Sequence, residues 1–208
     1  MVETIKKPAP GARAQGRTRL TQILEEAETI LAGQGNAHLT MRQLAANAGI
    51  SLGNLQYYFK TRKDLIRALV DRICARSEAL IRARLTAQTD PVTHLAELAG
   101  ALVDDLHSHN NATILRELWA LAAHDPDIAA KVNEMHEEER NAVARLIARI
   151  NPSLRPREYR QRATAIASMI EGAGLFVVED RVSKRSATAL RQGIVDEIVG
   201  IAKRPSNV

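Results

Sequence analysis

Apolar residues recur along this chain at three- and four-residue steps, and no stretch alternates with period two, so the pattern is helical throughout. From about Thr18 to Leu31 the residues Leu20, Ile23, Leu24, Ala27, Ile30 and Leu31 fall on one face, and Gly33 and Gly35 end the run. Thr40, with Gln43 three residues on, is a capping-box start for a short second helix, and Ser51 caps a third. Thr61 with Asp64 opens a fourth, whose stripe Leu65, Leu69, Ile73 and Leu80 runs to about Leu85. Asp90-Pro91 restarts the pattern with a cap residue and a proline at the first helical position. Leu95, Leu98, Leu102 and Leu106 carry that fifth helix to His107, where the polar run 107–111 breaks it. Ile114, Leu115, Leu118, Trp119 and Leu121 form a sixth helix; Asp125-Pro126 caps a seventh reaching about Ile150. An eighth spans about Arg157 to Glu179 and a ninth about Ala187 to Ala202. The expectation is an all-α chain of about nine helices: a flexible basic arm over 1–16, a helix-turn-helix domain over 17–63, and a helical bundle over 64–208.

The segment 40–59 is the most informative. Leu44, Ala45 and Ala48 give the second helix one apolar face, and Gly49 supplies the left-handed turn that other residues adopt only with strain. Ile50 and Leu55 pack back on that face, which leaves Asn54, Gln56, Tyr57 and Tyr58 pointing outward from the helix that Ser51 opens. That is the geometry of a helix that reads a major groove. Asn54 and Gln56 suit base edges and Leu52 a thymine methyl, while Tyr57 and Tyr58 brace against the sugar-phosphate backbone. Thr40, Arg42, Lys60, Arg62 and Lys63 are the phosphate-contact candidates, helped by the positive helix ends near Thr40 and Thr61. Arg13, Arg17 and Arg19 are candidates for backbone or minor-groove contact.

Composition agrees with this. Hydrophobic residues make up 45% of the 208 residues but aromatics only 3%, so the apolar content is mainly Ala, Leu, Ile and Val. The single cysteine, Cys74, rules out an intrachain disulfide and suits a reducing compartment. No apolar run reaches the roughly 20 residues that span a bilayer, and no apolar segment follows Lys6 and Lys7 as a secretory signal needs. A cytoplasmic protein with no membrane partner is expected. The charge is uneven: residues 1–80 hold 12 Lys and Arg against 7 Asp and Glu, whereas 81–208 hold 17 of each. The excess sits on the segment that holds the helix-turn-helix, which points to double-stranded DNA as the partner. Nothing suggests an enzyme: there is no phosphate-cradling glycine loop, nucleophile elbow or metal-binding His-Glu pair. His94, His107, His109, His124 and His136 fit no standard zinc spacing, so neither metal nor cofactor is expected. The run Glu137-Glu138-Glu139 reads as a solvated helix face.

With these residues in place, the chain resembles the TetR family of bacterial transcription regulators over about residues 17–65. The matching positions are Arg19-Leu-Thr-Gln-Ile23, Thr40, Leu44-Ala45, Ala48-Gly49-Ile50-Ser51, Gly53, Leu55, Tyr58-Phe59 and Asp64-Leu65. Gln56 stands where the family usually has tyrosine, and Arg62 where lysine is commonest. Further on, residues 117–126 and 171–175 are similar to the subgroup that includes the choline-responsive repressors. The resemblance implies a ligand pocket among helices five to eight, with Leu115, Trp119, Met135, Met169 and Phe176 as its candidate lining. On helix eight, Ala163, Ile166, Ala167, Ile170, Gly174 and Val177 form a stripe of small and branched residues, and Ile194 and Ile198 give helix nine a similar face. These faces either pack within one subunit or join two subunits in a four-helix interface, and the resemblance favours the homodimer. The expected function is a ligand-responsive homodimeric repressor that binds a palindromic operator and answers to a small-molecule effector. The alternative is a nucleoid or division factor controlled by a protein partner.

Overall fold

A computed structural model describes residues 10–85, 90–176 and 184–206. Nine α-helices run through them: α1 Pro10–Gln34, α2 Met41–Asn47, α3 Leu52–Tyr58, α4 Arg62–Leu85, α5 Pro91–His107, α6 His109–Ala122, α7 Pro126–Ile150, α8 Pro156–Phe176 and α9 Lys184–Lys203. A single 3-10 turn, Asn36–His38, lies between α1 and α2. No strand occurs among the described residues, and none of their helices is long and apolar enough to cross a membrane. The chain forms two compact units, Met1–Leu69 and Val70–Val208, here called the head and the body, with the boundary falling inside α4.

The helix starts follow the caps. Thr40 accepts from the Gln43 backbone N–H (3.1 Å), Ser51 from Asn54 (3.1 Å), and Asp90 from Thr93 (3.0 Å). Thr61 and Asp64 cap each other: the Thr61 N–H donates to Asp64 Oδ2 at 3.0 Å and the Asp64 N–H to Thr61 Oγ1 at 3.2 Å. Two boundaries differ most from expectation, and α9 also begins slightly early, at Lys184. Helix α1 begins at Pro10 rather than near Thr18, so residues 10–16, expected in the arm, are helical. Proline is preorganised for a first helical position, and Ala12 to Gln15 are good helix formers. The polar run 107–111 interrupts the chain only at Ser108, whose side chain caps α6 through the Asn111 N–H (3.3 Å) and lets His109 start the next helix.

In the head, Ile23, Ala27, Ile30 and Leu31 of α1 are buried, as are Leu39, Leu44, Ala45, Leu55, Phe59, Leu65 and Leu69. Each fully buried leucine contributes about 2 kcal/mol relative to exposure. In the body, α5, α7, α8 and α9 enclose a core that includes Leu95, Leu98, Val103, Val143, Ile147, Ile166, Ile170 and Ile198. Polar clamps close its edges. The Arg191 guanidinium of α9 grips Asp104 of α5 through Nε (2.5 Å) and Nη2 (2.8 Å). Arg162 of α8 donates to the carbonyls of Ile201 (3.0 Å), Arg204 (2.5 Å) and Pro205 (2.8 Å), setting a cation against the C-terminal end of α9.

This core corrects the interface expected from the sequence. Ala163, Ile166, Ala167, Ile170 and Ile198 are buried within the single subunit, and Ile194 packs partly against the same core. Gly174 is buried too, with Leu106 of α5 only 3.3 Å from where a Cβ would stand. Small residues let helices approach closely, and here they admit α5 and α7 of the same chain. Val177 lies outside the described residues. What α8 leaves in solvent is a second run of small side chains, Thr164, Ala165 and Ser168, continued by the half-buried Gly172 and by Leu175, which is 52% exposed. On α9 the counterparts are Ala189, Leu190 and Gly193.

Candidate nucleic-acid interface and body cavity

In the head, α2 and α3 meet at Gly49, which has φ +64° with open space where a Cβ would lie, so the constraint there is conformational rather than steric. Leu44, Ala45 and Leu55 close the inner faces of these helices. With Ser51 occupied as the cap, the opposite face of α3 carries Asn54, Gln56 and Tyr57, all exposed. Tyr57 is 82% exposed, and its ring meets Tyr58 edge-on with centroids 5.3 Å apart. Leu52 and Tyr58 are half-buried. Thr40, Arg42, Lys60 and Lys63 are exposed around this face. An amide on such a helix can pair with adenine in a major groove, and exposed cations beside it can meet phosphates.

Two arginines bond the chain itself. Arg62 donates from Nε to the Leu39 carbonyl (2.7 Å) and from Nη2 to the carbonyl and side-chain oxygens of Asn36 (2.7 and 2.6 Å). Its fork thus ties the start of α4 to the 3-10 turn, a use of the planar guanidinium that a lysine cannot reproduce. Arg19 donates from Nη2 to the Ala48 carbonyl at 3.1 Å, which fastens α1 to the end of α2. The side chains of Arg13 and Arg17 lie outside the described residues.

The body holds a cavity with about 60 Å³ of free volume. Its walls are Ile73, Arg76 and Ser77 from α4, Leu102, Asp105 and Leu106 from α5, and Asn111, Ile114, Leu115 and Leu118 from α6. Met135 and Glu139 of α7 and Ile170 and Glu171 of α8 complete it. Of the expected lining, Leu115 and Met135 are present. Met169 packs against the core instead, and the side chain of Phe176 lies outside the described residues. Trp119 stands beside the cavity, 46% exposed, with its indole stacked on the His136 ring at 5.0 Å and 27°.

The cavity's acids escaped the sequence reading. Within the run 137–139 only Glu137 and Glu138 face solvent, while Glu139 is 4% exposed. The signal was available: Val132, Met135, His136, Glu139 and Val143 share the buried stripe of α7 at three- and four-residue steps. Burial, followed by the neighbouring charge of Glu171, pushes the Glu139 carboxyl up to about 8, so it is protonated at neutral pH. Burial raises Glu171 as well, with a smaller opposing contribution from hydrogen bonding to Trp119. Burial, then the charge of Arg140, lowers His136. His136 Nδ1 lies 2.9 Å from the Val132 carbonyl and Nε2 lies 3.0 Å from Glu171 Oε1. Both ring nitrogens thus meet an oxygen, and burial disfavours the charged form of each partner. Asp105, also raised by burial, accepts from Asn111 Nδ2 at 2.9 Å.

Comparison with known proteins agrees with this division. Residues 23–69 match the family described as bacterial regulatory proteins, tetR family, and residues 91–200 match the BetI-type transcriptional repressor C-terminal family. A regulator named HTH-type transcriptional regulator BetI from Stenotrophomonas maltophilia is 29% identical over 168 residues, covering 78% of this chain and 83% of its own. An HTH-type regulator from the dhlA 5' region of Xanthobacter autotrophicus is 29% identical over 150 residues, 71% of this chain and 73% of that one. Among solved structures, a regulator from Saccharomonospora viridis in complex with choline superposes with a TM-score of 0.74 at 21% identity, covering 88% of this chain and 96% of the other. The chain belongs to the TetR family of bacterial transcriptional regulators, with a DNA-binding helix-turn-helix at its head and a BetI-type body.

Proposed function

We propose that this protein is a homodimeric repressor that reads a palindromic operator through α3 and releases it when a small molecule enters the body cavity. The observation that carries the reading is the exposed face of α3, where Asn54, Gln56 and Tyr57 stand clear of the head core. Lys60, Lys63 and Arg42 supply the phosphate contacts, and Arg62 holds the scaffold beneath them. A second copy docks on the exposed small-residue run of α8, from Ala165 through Ser168 to Leu175, together with Leu190 and Gly193 of α9. A palindromic operator asks for two α3 helices about one DNA turn apart.

The cavity supports the effector reading over control by a protein partner alone. Helix α4 is continuous from Arg62 to Leu85, so the residues that line the cavity, Ile73, Arg76 and Ser77, ride on the helix whose first turns belong to the head. A ligand that prefers one placement of α4 shifts operator affinity by the difference, typically about 1–3 kcal/mol. Selection of bound DNA from a random pool, followed by footprinting, tests the reading. A two-fold symmetric site protected on both halves is expected, and Gln56→Ala is expected to change which bases are selected within each half. Protection of DNA without symmetry or sequence preference would overturn the operator reading.

A further inference from the structure

We propose that the body cavity takes a small protonated primary or secondary amine, whose N–H groups donate to the carboxyls of Glu139 and Glu171. This names the chemistry of the effector and rests on the effector reading only for its link to DNA. Glu139 Oε1 and Glu171 Oε2 are both buried without a hydrogen-bond partner, and both residues line the cavity. Buried carboxyl oxygens are rarely left unpaired, because each forfeits its hydrogen bonds to water. Two such oxygens on one cavity, from α7 and α8, mark a place for a missing donor.

The sign of the ligand follows from the walls. The lining holds three carboxyls, Asp105, Glu139 and Glu171, against one guanidinium, that of Arg76. Asp105 is already met by Asn111, so the charge of an incoming ion falls to the two glutamates. The rest of the lining is mostly aliphatic, which suits a short hydrocarbon tail. Quaternary ammonium ions carry no N–H donor and are recognised by aromatic cages. No aromatic side chain lines this cavity among the described residues, and the indole of Trp119 is stacked on His136. A free volume of about 60 Å³ limits the guest to a few heavy atoms.

Calorimetric titration of the full chain with n-butylamine hydrochloride, choline chloride, 1-butanol and sodium butyrate tests this. Saturable binding of butylammonium at one site per subunit is expected, with choline about tenfold weaker or more, and no saturation by the alcohol or the carboxylate. Glu139→Gln and Glu171→Gln should each weaken butylammonium about tenfold to a hundredfold, as loss of a charge-assisted hydrogen bond does, with unchanged circular dichroism. Binding should also release a proton. Glu139 sits at about 8 when the cavity lacks a cation and must ionise to pair with one, among Glu171, Asp105, Arg76, His136 and Arg140. Affinity then climbs with pH up to that value. Choline binding as tight as butylammonium overturns the proposal, as does saturation by butyrate or butanol, or a failure of butylammonium to saturate. Release of operator DNA is scored separately. Ammonium binding without release defeats the effector reading alone, whereas release by a ligand of other chemistry, with butylammonium inert, defeats this proposal alone.

Discussion

In the head, the polar side chains proposed to meet DNA stand in water around α3, while Leu44, Leu55 and Phe59 beneath them are buried. In the body the arrangement is inverted: Glu139 and His136 are buried among aliphatic residues, Glu171 is half-buried beside them, and an indole is left half in solvent. The difference follows from the partner each surface meets. A DNA groove brings its own charges and water, so exposed amides and cations keep their ordinary protonation and lose little by waiting. A cavity that is to take the proposed amine must strip it of water, so its polar groups stand in a lower dielectric, where the carboxyls of Glu139 and Glu171 are shifted toward neutrality.

Substitution at the body core should break this contrast most severely. Ile170→Glu places an unpaired charge in the interior and should cost several kcal/mol, about 3 or more. The body should then unfold, as loss of the cooperative thermal transition. Gly172→Glu, on the outward face of α8, should instead leave a folded monomer by sedimentation. A folded Ile170→Glu monomer would return the interface to the inner stripe.

Glu139 gives the next largest effect. A carboxyl whose folded pKa is raised binds its proton more tightly in the native state. Its stabilisation is therefore greatest below the unfolded value near 4.5 and is lost as pH rises toward about 8. At its steepest this amounts to about 1.4 kcal/mol per pH unit. Urea denaturation across that window should show the decline in the parent protein and a flatter profile in Glu139→Gln. Equal slopes would place Glu139 in water.

The head predicts smaller, separable effects. Arg62→Ala removes three short hydrogen bonds at the base of α4 and should destabilise the head by about 1–3 kcal/mol. Lys60→Ala should leave stability alone and reduce the slope of log affinity against log salt by about one unit. If Arg62→Ala changes only that slope, its fork is a phosphate contact after all. Smallest is Thr40→Ala, which removes the α2 cap and should cost about 1 kcal/mol in chemical denaturation.

Much of the head was legible from the chain because its signals are local. Thr40 and Ser51 cap within three residues, Gly49 meets its own backbone need, and the outward set on α3 follows from where Leu55 must point. The bonds of Arg62 to Asn36 and Leu39 were not legible, because these partners lie 26 and 23 residues away, beyond any local rule. In the body the helices were legible but their partners were not. A stripe such as Ile166 and Ile170 states that a face must be covered, never by which chain. Cap, turn and periodicity energies act within a few residues, so the sequence alone determined the helices, the capped starts at Thr40, Ser51 and Asp90, and the outward face of α3. Dielectric and packing depend on everything that surrounds a side chain. Tertiary structure alone therefore decided that Glu139 is buried while Glu138 is not, that Arg62 bonds the 3-10 turn, and that the small-residue stripe of α8 belongs to the core.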